Sequence, residues 1–343
     1  MRLSGALRNK KIARNRSDPL LSRVTRPVVD GVFPRTLKRY SAPNRVFVEV
    51  SKGRAATPKQ LPNFLTFDIE EWYRVNYEGG DAAALTCPTG WMERLTERFL
   101  EICNEAGCRS TFFVLGTVAG DYPQLVKRID AAGHEVASHG CAHKAVFSMT
   151  PAAFEEDLRR SCGILESLTG KAVQGFRAPS FSVTRQVLPW YYDTLEKAGL
   201  AYSSSVFPGK TFLYGIPDFP YRVHRPVIEG RQTGITEFPI TRVDFAGKTL
   251  GLYVRMFPAS FLRRRIRREN AAGRPAMLYV HPREIDPDQP RLALPWPRSF
   301  IHYFGVRGCE RKLRRLLRTA PGPFLPIAEA LGRYPEFSAP EVT

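Results

Sequence analysis

Apolar positions along the chain follow two periods in turn. Short apolar runs bounded by turn residues alternate with stretches whose apolar residues recur three and four apart, the marks of buried strands and amphipathic helices. Phe64–Phe67 reads as a strand. Trp91–Ala106, with Trp91, Leu95, Phe99, Ile102 and Cys103 at helical spacing, reads as a helix. Ser110–Leu115 is a second strand, Pro123–Ala132 a helix stopped at Gly133, and Glu135–Ser138 a third strand. Thr150 and Pro151 start a helix that runs to Thr169: a threonine hydroxyl accepts an orphan N–H, and proline has none to leave unpaired. Strand Val173–Phe176, helix Val187–Ala198 and strand Ala201–Ser205 follow. Then come a strand within Gly234–Pro239, a basic helix over Pro258–Ala272, the strand Met277–Val280 and a last amphipathic helix, Arg311–Arg318. Repeated strand–helix alternation predicts a parallel α/β architecture of about seven strands. Residues 206–257, rich in Pro, Gly, Tyr and Phe, break the alternation and predict an insertion of short antiparallel pieces over one mouth of a barrel.

At 343 residues the chain can bury the core of one large α/β domain. Its charge is uneven. Residues 1–60 carry 15 Lys/Arg against Asp18, Asp30 and Glu49, a net +12 of the chain's +18. That segment has no sustained period and holds prolines at 27, 34, 43 and 58, so residues 1–61 are expected to be a mostly disordered tail or an extension before the true start. Its functional alternative is an electrostatic arm for an anionic membrane surface or nucleic acid; the disordered reading is preferred to both, since nothing aromatic or repetitive accompanies the charge, and of the two partners nucleic acid is the less expected. The barrel is expected over 62–334, including a C-terminal extension, with 335–343 as a short tail. No run approaches the roughly 18 apolar residues of a membrane span. No apolar signal-peptide core follows Met1, and the six cysteines lack framework spacing, which predicts a cytoplasmic protein, at most peripheral at the inner membrane. The run Arg263–Arg268 reads as a solvated helix face.

Chemistry concentrates at strand ends. Asp68-Ile-Glu-Glu71 closes the first strand, His139-Gly-Cys-Ala-His143 follows Glu135–Ser138, Arg177 ends Val173–Phe176, and His281 ends Ala276–Val280. In a parallel barrel those ends share one face, where sites are built. Two imidazoles and one carboxylate leave open positions on a divalent metal. A second carboxylate can then take a proton from water, and a histidine opposite can protonate the leaving group. Asp68, Glu70, His139, His143 and His281 fill these roles, which predicts metal-assisted hydrolysis of an acyl or amide bond. Cys141 is expected to point away from the two histidines, and His134 to be a turn residue. Trp72 and Tyr73 either stack on substrate or cap the barrel.

In order and spacing, Leu65–Trp72, Ser138–His143, Phe176–Pro179 and Leu278–Pro282 resemble the motifs of the polysaccharide deacetylase superfamily (carbohydrate esterase family 4, the nodulation-protein homology domain). Phe181–Ser182, Tyr202–Pro208, Glu237–Pro239 and His281–Pro290 are similar to its exosortase-associated, exopolysaccharide-cluster branch. The likeness covers residues 62–331. It implies a distorted (β/α)7 barrel that removes N-acetyl groups from amino sugars of a polysaccharide, or of a lipid-linked precursor oligosaccharide. The implied cofactor is zinc, with cobalt or nickel as substitutes. The same resemblance implies Asp68 as general base, His139 and His143 as metal ligands, and Glu70 as third ligand with Glu71 the alternative. His281 becomes the acid, Arg177 orients Asp68, and the Ser180 backbone N–H helps hold the oxyanion.

This chain departs from the family in three places. The acids of the first motif are Asp68, Glu70 and Glu71 rather than two adjacent aspartates. Tyr202-Ser-Ser-Ser205 replaces a motif that carries an aspartate for the acid histidine, so the partner of His281 is unassigned. Arg283 stands where the branch often has tryptophan. The same chemistry would serve a C–N hydrolase acting on a small non-sugar amide, and an inactive barrel could simply bind glycan.

Overall fold

Each apolar run that ends in a charged or ligating residue is a parallel strand in the computed structural model, which describes residues 60–74, 86–210, 215–245, 248–251 and 253–337. The basic tail expected over 1–61 lies outside the described residues up to position 59, as do 338–343 of the C-terminal tail. The strands are β1 (Phe64–Ile69), β2 (Thr111–Val114), β3 (Glu135–Ser138), β4 (Gly175–Phe176), β5 (Tyr202–Ser203), β6 (Val227–Ile228), β7 (Arg231–Gln232), β8 (Thr236–Glu237), β9 (Arg242–Phe245), β10 (Lys248–Gly251) and β11 (Met277–Val280). Seven of them form one curled sheet in the order β11-β1-β2-β3-β4-β5-β8, with parallel pairing throughout. The edges β8 and β11 are joined by one residue rather than by a ladder. Thr241, just beyond β8, donates its N–H to Met277 O (3.2 Å) and accepts from Met277 N through its hydroxyl (2.7 Å). This is the parallel architecture that the strand–helix alternation predicts, and the distorted (β/α)7 barrel that the family resemblance implies. The insertion supplies two antiparallel pairs, β6–β7 and β9–β10.

Helices α1 (Trp91–Ala106), α2 (Gly116–Asp121), α3 (Pro123–Ala131), α4 (Pro151–Thr169), α5 (Leu188–Lys197), α6 (Ala259–Ala271), α7 (Arg298–Tyr303), α8 (Val306–Thr319) and α9 (Ile327–Arg333) complete the chain. Thr150 Oγ1 accepts from Ala153 N at 3.2 Å, the cap expected of α4. Among the described residues no helix is long and apolar enough to cross a membrane.

Period-two alternation sorts β1 between two cores. Leu65, Phe67 and Ile69 face the helices, where Phe67 stacks on Phe99 of α1 at 4.1 Å and lies 4.8 Å from Phe112 of β2. Burying a ring of that size contributes about 2 kcal/mol. Phe64 faces the lumen with Phe113, Tyr202, Phe238, Met277 and Tyr279. The lumen is closed below by α9 and by Phe337, whose ring meets Phe238 edge-on at 5.8 Å. Thr66 and Asp68 share the inward side of β1 with Phe64, so the strand carries polar groups into the lumen just where it reaches the upper mouth.

Candidate active site

Three side chains at the upper mouth bring ligand atoms within 4.8 Å of one another: Glu70, His139 and His143, all buried. Glu70 follows the last residue of β1 and His139 follows the last residue of β3. His143 closes a tight loop and holds φ 57°, a left-handed conformation that few non-glycine residues adopt. The loop is pinned along its length. His139 N donates to Val114 O (3.0 Å), Gly116 N to Gly140 O (2.9 Å), and Cys141 N to Asp157 Oδ2 (2.8 Å). Gly140 sits at φ 78°, and a Cβ there would meet Asp157 Oδ2 at 3.0 Å.

His139 Nδ1 lies 2.8 Å from Arg177 O, so this nitrogen carries a proton and donates it, and Nε2 is the atom that faces the site. Glu70 Oε2 is 2.7 Å from His143 Nε2 and 3.6 Å from His139 Nε2, while Oε1 accepts from Arg283 Nη1 at 2.5 Å. Burial pushes the Glu70 carboxyl up, but His143, His281 and hydrogen bonds from both ligand imidazoles hold it well below the usual range. Burial depresses His139, and its carboxylate neighbours Glu70 and Asp68 more than reverse this, leaving it raised. One carboxylate and two imidazoles suit a borderline cation such as zinc, and these three residues could hold a metal ion.

Arg177, at the end of β4, is wholly buried and spends every donor. Nη1 reaches Asp68 Oδ1 and Thr66 Oγ1, both at 2.7 Å. Nε reaches Ser204 O (3.2 Å), and Nη2 reaches Ser204 Oγ (2.9 Å) and Met277 Sδ (3.1 Å). Its guanidinium lies 4.1 Å from the Phe113 ring centroid. A buried cation this fully paired has one orientation, and it fixes Asp68. The serine run that lacks the family's aspartate thus braces the arginine instead.

His281 closes the site from β11. Its Nε2 stands 3.7 Å from Asp68 Oδ2 and 3.7 Å from Glu70 Oε1. Its Nδ1 has no hydrogen-bond partner among the described residues, and the carboxylate facing it, at 3.7 Å, is Glu284 Oε2. Glu284 is held by Arg255 Nε at 3.0 Å and accepts from His281 N at 3.3 Å. Burial would raise this carboxyl, yet His281, Arg255 and Arg283 bring it down to about 2. Arg255 in turn donates to the carbonyls of Ile301 (2.6 Å) and Phe304 (3.0 Å) at the end of α7.

The fold therefore gathers Asp68, Glu70, His139, His143, Arg177 and His281. Glu71 stands apart, paired with Arg74 at 3.0 Å. Trp72 packs into the outer core and its indole donates to Thr86 O, the capping arrangement, whereas Tyr73 remains half-buried with its hydroxyl 3.4 Å from Glu71. Ser180 lies on the turn after Arg177, where it and Phe181 hold φ 54° and 52° in succession. His134 accepts from Ser110 N at 3.1 Å and is pushed down to about 4 by burial, as suits a turn histidine. Cys141 is buried at the start of α2, a placement consistent with its exclusion as a ligand. Sequence reasoning missed Glu284, Arg255, Ser204 and Thr66. Only Glu284 had a local signal: it stands three residues beyond a helix-start position, where a carboxylate caps the preceding N–H.

Residues 76–202 match the polysaccharide deacetylase family, and residues 204–330 match a domain of unknown function. His139, His143 and Arg177 fall in the first segment; His281, Glu284 and Arg255 fall in the second. A chitooligosaccharide deacetylase of Sinorhizobium fredii is 30% identical over 156 residues, 39% of this chain and 72% of its own length. A peptidoglycan deacetylase-like protein of Gibberella zeae is 28% identical over 155 residues, 41% of this chain and 45% of its own. The chain spans about half the length of the curated relatives it first matches. The crystal structure of a Mycobacterium smegmatis protein described as a polysaccharide deacetylase shares the fold, with TM-score 0.59 at 16% identity, over 87% of this chain and 98% of that one. With the motif residues converging at the mouth of a shared barrel, and a relative matched over most of its length, the chain belongs to the polysaccharide deacetylase family.

Proposed function

We propose that this chain hydrolyses N-acetyl groups from amino sugars of a polysaccharide, or of its lipid-linked precursor, in exopolysaccharide synthesis. The proposed cofactor is a zinc ion held by Glu70, His139 and His143. The reading places the enzyme in the cytoplasm, where its six free cysteines would stay reduced. One observation carries it: a buried metal-type triad faces a carboxylate, Asp68, and an imidazole, His281, whose nearest atoms are 3.7 Å apart. The deacetylase names of the relatives support a glycan substrate.

A bound divalent ion supplies a charge that acidifies water toward pKa about 7 and polarises a carbonyl. Arg177 holds Asp68 Oδ1, leaving Oδ2 turned toward His281 to take a proton from the attacking water. The water oxygen bonds to the acetyl carbon, with the Ser180 backbone N–H as a donor to the developing oxyanion. His281 Nε2 delivers its proton to the amine nitrogen as the C–N bond breaks, releasing acetate and the free amino sugar. Glu284 stabilises the charged imidazole and aims it. Tyr73, at the rim, contacts the sugar.

Acetate release from a panel of acetylated glycans, including chito-oligosaccharides and the producer's own polymer, tests this reading. Protein that retains no zinc, cobalt or nickel and releases no acetate would be a glycan-binding barrel instead. Release confined to small non-sugar amides would assign it to another C–N hydrolysis.

A further inference from the structure

Large apolar side chains exposed on this barrel are concentrated in one place. Among the described residues they are Phe147 (46% exposed), Trp296 (82%), Phe300 (54%), Ile301 (46%) and Phe304 (43%), so all but Phe147 fall within 296–304. Trp296, Phe300 and Phe304 recur every four residues, and the Phe300 and Phe304 rings lie 5.0 Å apart. The segment is anchored. His302 of α7 is buried, the Tyr303 hydroxyl accepts from Leu292 N at 2.7 Å, and Arg255 binds the Ile301 and Phe304 carbonyls. One side of α7 is thus fixed to the barrel, while the apolar side stands proud of the surface.

Within this segment the charge is mostly of one sign. From Arg291 to Thr319 there are seven arginines and one lysine against a single acid, Glu310, which is already taken by Arg98 and Arg314; the α1 acids beside α8, Glu101 and Glu105, also pair with Arg314. Arg307, Arg311, Arg315 and Arg318 are exposed along one face of α8, and none has a carboxylate within 4.0 Å among the described residues. Arg311 and Phe304 line one shallow depression, together with Phe257 and Lys312. The adjoining α6 adds Arg264, Arg267 and Arg268, also exposed.

We propose that Trp296, Phe300, Ile301 and Phe304, with the arginine face of α8, form a docking surface for an anionic lipid bilayer. Aromatic and aliphatic side chains that protrude over at most a shallow depression suit the headgroup boundary, and guanidinium groups beside them pair with lipid phosphates. A second copy is a poor occupant, because two such faces on a chain of net charge +18 would repel. An acidic protein would satisfy the arginines but leave a flat, protruding aromatic cluster without a complementary hollow. The proposal does not rest on the deacetylase reading, and its test reads no activity.

The full chain is mixed with vesicles of phosphatidylglycerol and phosphatidylcholine in equal parts, and with phosphatidylcholine alone. It should sediment with the first at least tenfold more tightly, and less so as salt is raised. Trp72 and Trp91 are buried and Trp190 is half-buried, so acyl-brominated lipid should quench mainly Trp296. Trp296→Phe should keep binding and lose that quenching. The triple variant Trp296→Ser, Phe300→Ser, Phe304→Ser should bind at least tenfold more weakly with an unchanged circular dichroism spectrum. Failure to bind either vesicle overturns the proposal. So does binding without Trp296 quenching, which would assign contact to another segment such as residues 1–59. A dimer seen by light scattering and dispersed by the triple variant would give the patch to a second copy.

Discussion

The two sides of the site are held by different forces. The side of the proposed ligands, Glu70, His139 and His143, stands on strand ends and on a loop fixed by backbone hydrogen bonds to Val114 and Gly116, with one charged partner, Arg283, on Glu70. The acid side, His281, stands on a strand end too, but its imidazole faces a chain of charges: Glu284, then Arg255, then the end of α7. Backbone hydrogen bonds to a neighbouring strand hold the first side locally, whereas the second depends on side chains brought in from the segment before α6 and on the end of α7. The division follows the reading of the site, in which the ligands must hold position and the acid must hold and release a proton.

Changes on either side can break this contrast, and the largest effects belong to the ligand side. His139→Ala removes a proposed ligand and the partner of Arg177 O. Metal content by mass spectrometry should fall to background and acetate release by about a thousandfold or more; retained zinc with full activity would remove His139 from the ligand set. Asp68→Asn should lower kcat by about 10²–10⁴-fold while bound metal stays the same, which separates the base from the ligands beside it.

On the acid side, Glu284→Gln keeps the shape and removes the charge. It should lower kcat on acetylated sugars by roughly tenfold to a hundredfold, with KM and metal content unchanged. An activated ester such as 4-nitrophenyl acetate needs no proton on its leaving group and should be spared. An equal loss on both substrates would show that Glu284 serves packing alone.

Smaller effects fall on stability. Gly140→Ala places a Cβ at φ 78° and 3.0 Å from Asp157 Oδ2; it should cost about 1–2 kcal/mol, read as a melting point lower by a few degrees. Acid should weaken the fold through three buried histidines. Burial holds His134 and His224 down at about 4; burial with the Arg283 and Arg255 charges holds His302 at about 3. Unfolded, each titrates near 6.5, so the unfolded chain takes up protons first as pH falls. Stability that is full above about pH 6.5 should drop by about 1 kcal/mol per histidine by pH 5, allowing for partial solvent contact. Melting curves at pH 7, 6 and 5 measure this, and a constant midpoint would contradict it.

Much of this molecule was legible in its sequence where the signal is local. Helix bounds at Trp91–Ala106 and Pro151–Thr169 follow from periodicity and from the Thr150–Pro151 start, and the structure has the same bounds. Asp68, His139, Arg177 and His281 were marked by their place at the end of apolar runs, because a parallel barrel turns that position into a shared face. Other elements had no such mark. Gly116–Asp121 has poor helix formers and forms because Gly116 N and Thr117 N find the carbonyls of Gly140 and Cys141. Strands β4, β5 and β8 are two residues long, shorter than their apolar runs, because the curled sheet sustains only brief ladders there.

Residue order and spacing by themselves determined the strand–helix alternation of a parallel α/β fold and marked the carboxylates, imidazoles and arginine at strand ends, since each mark is written within a few neighbouring positions. Tertiary structure alone chose Glu70 over Glu71, turned Trp72 into the core, braced Arg177 with Ser204 and Thr66, and set Glu284 and Arg255 behind His281. Those choices depend on side chains separated by tens to hundreds of residues. Such contacts leave no periodic trace in the chain and arise only when closure of the barrel excludes water and compels every buried charge to find a partner.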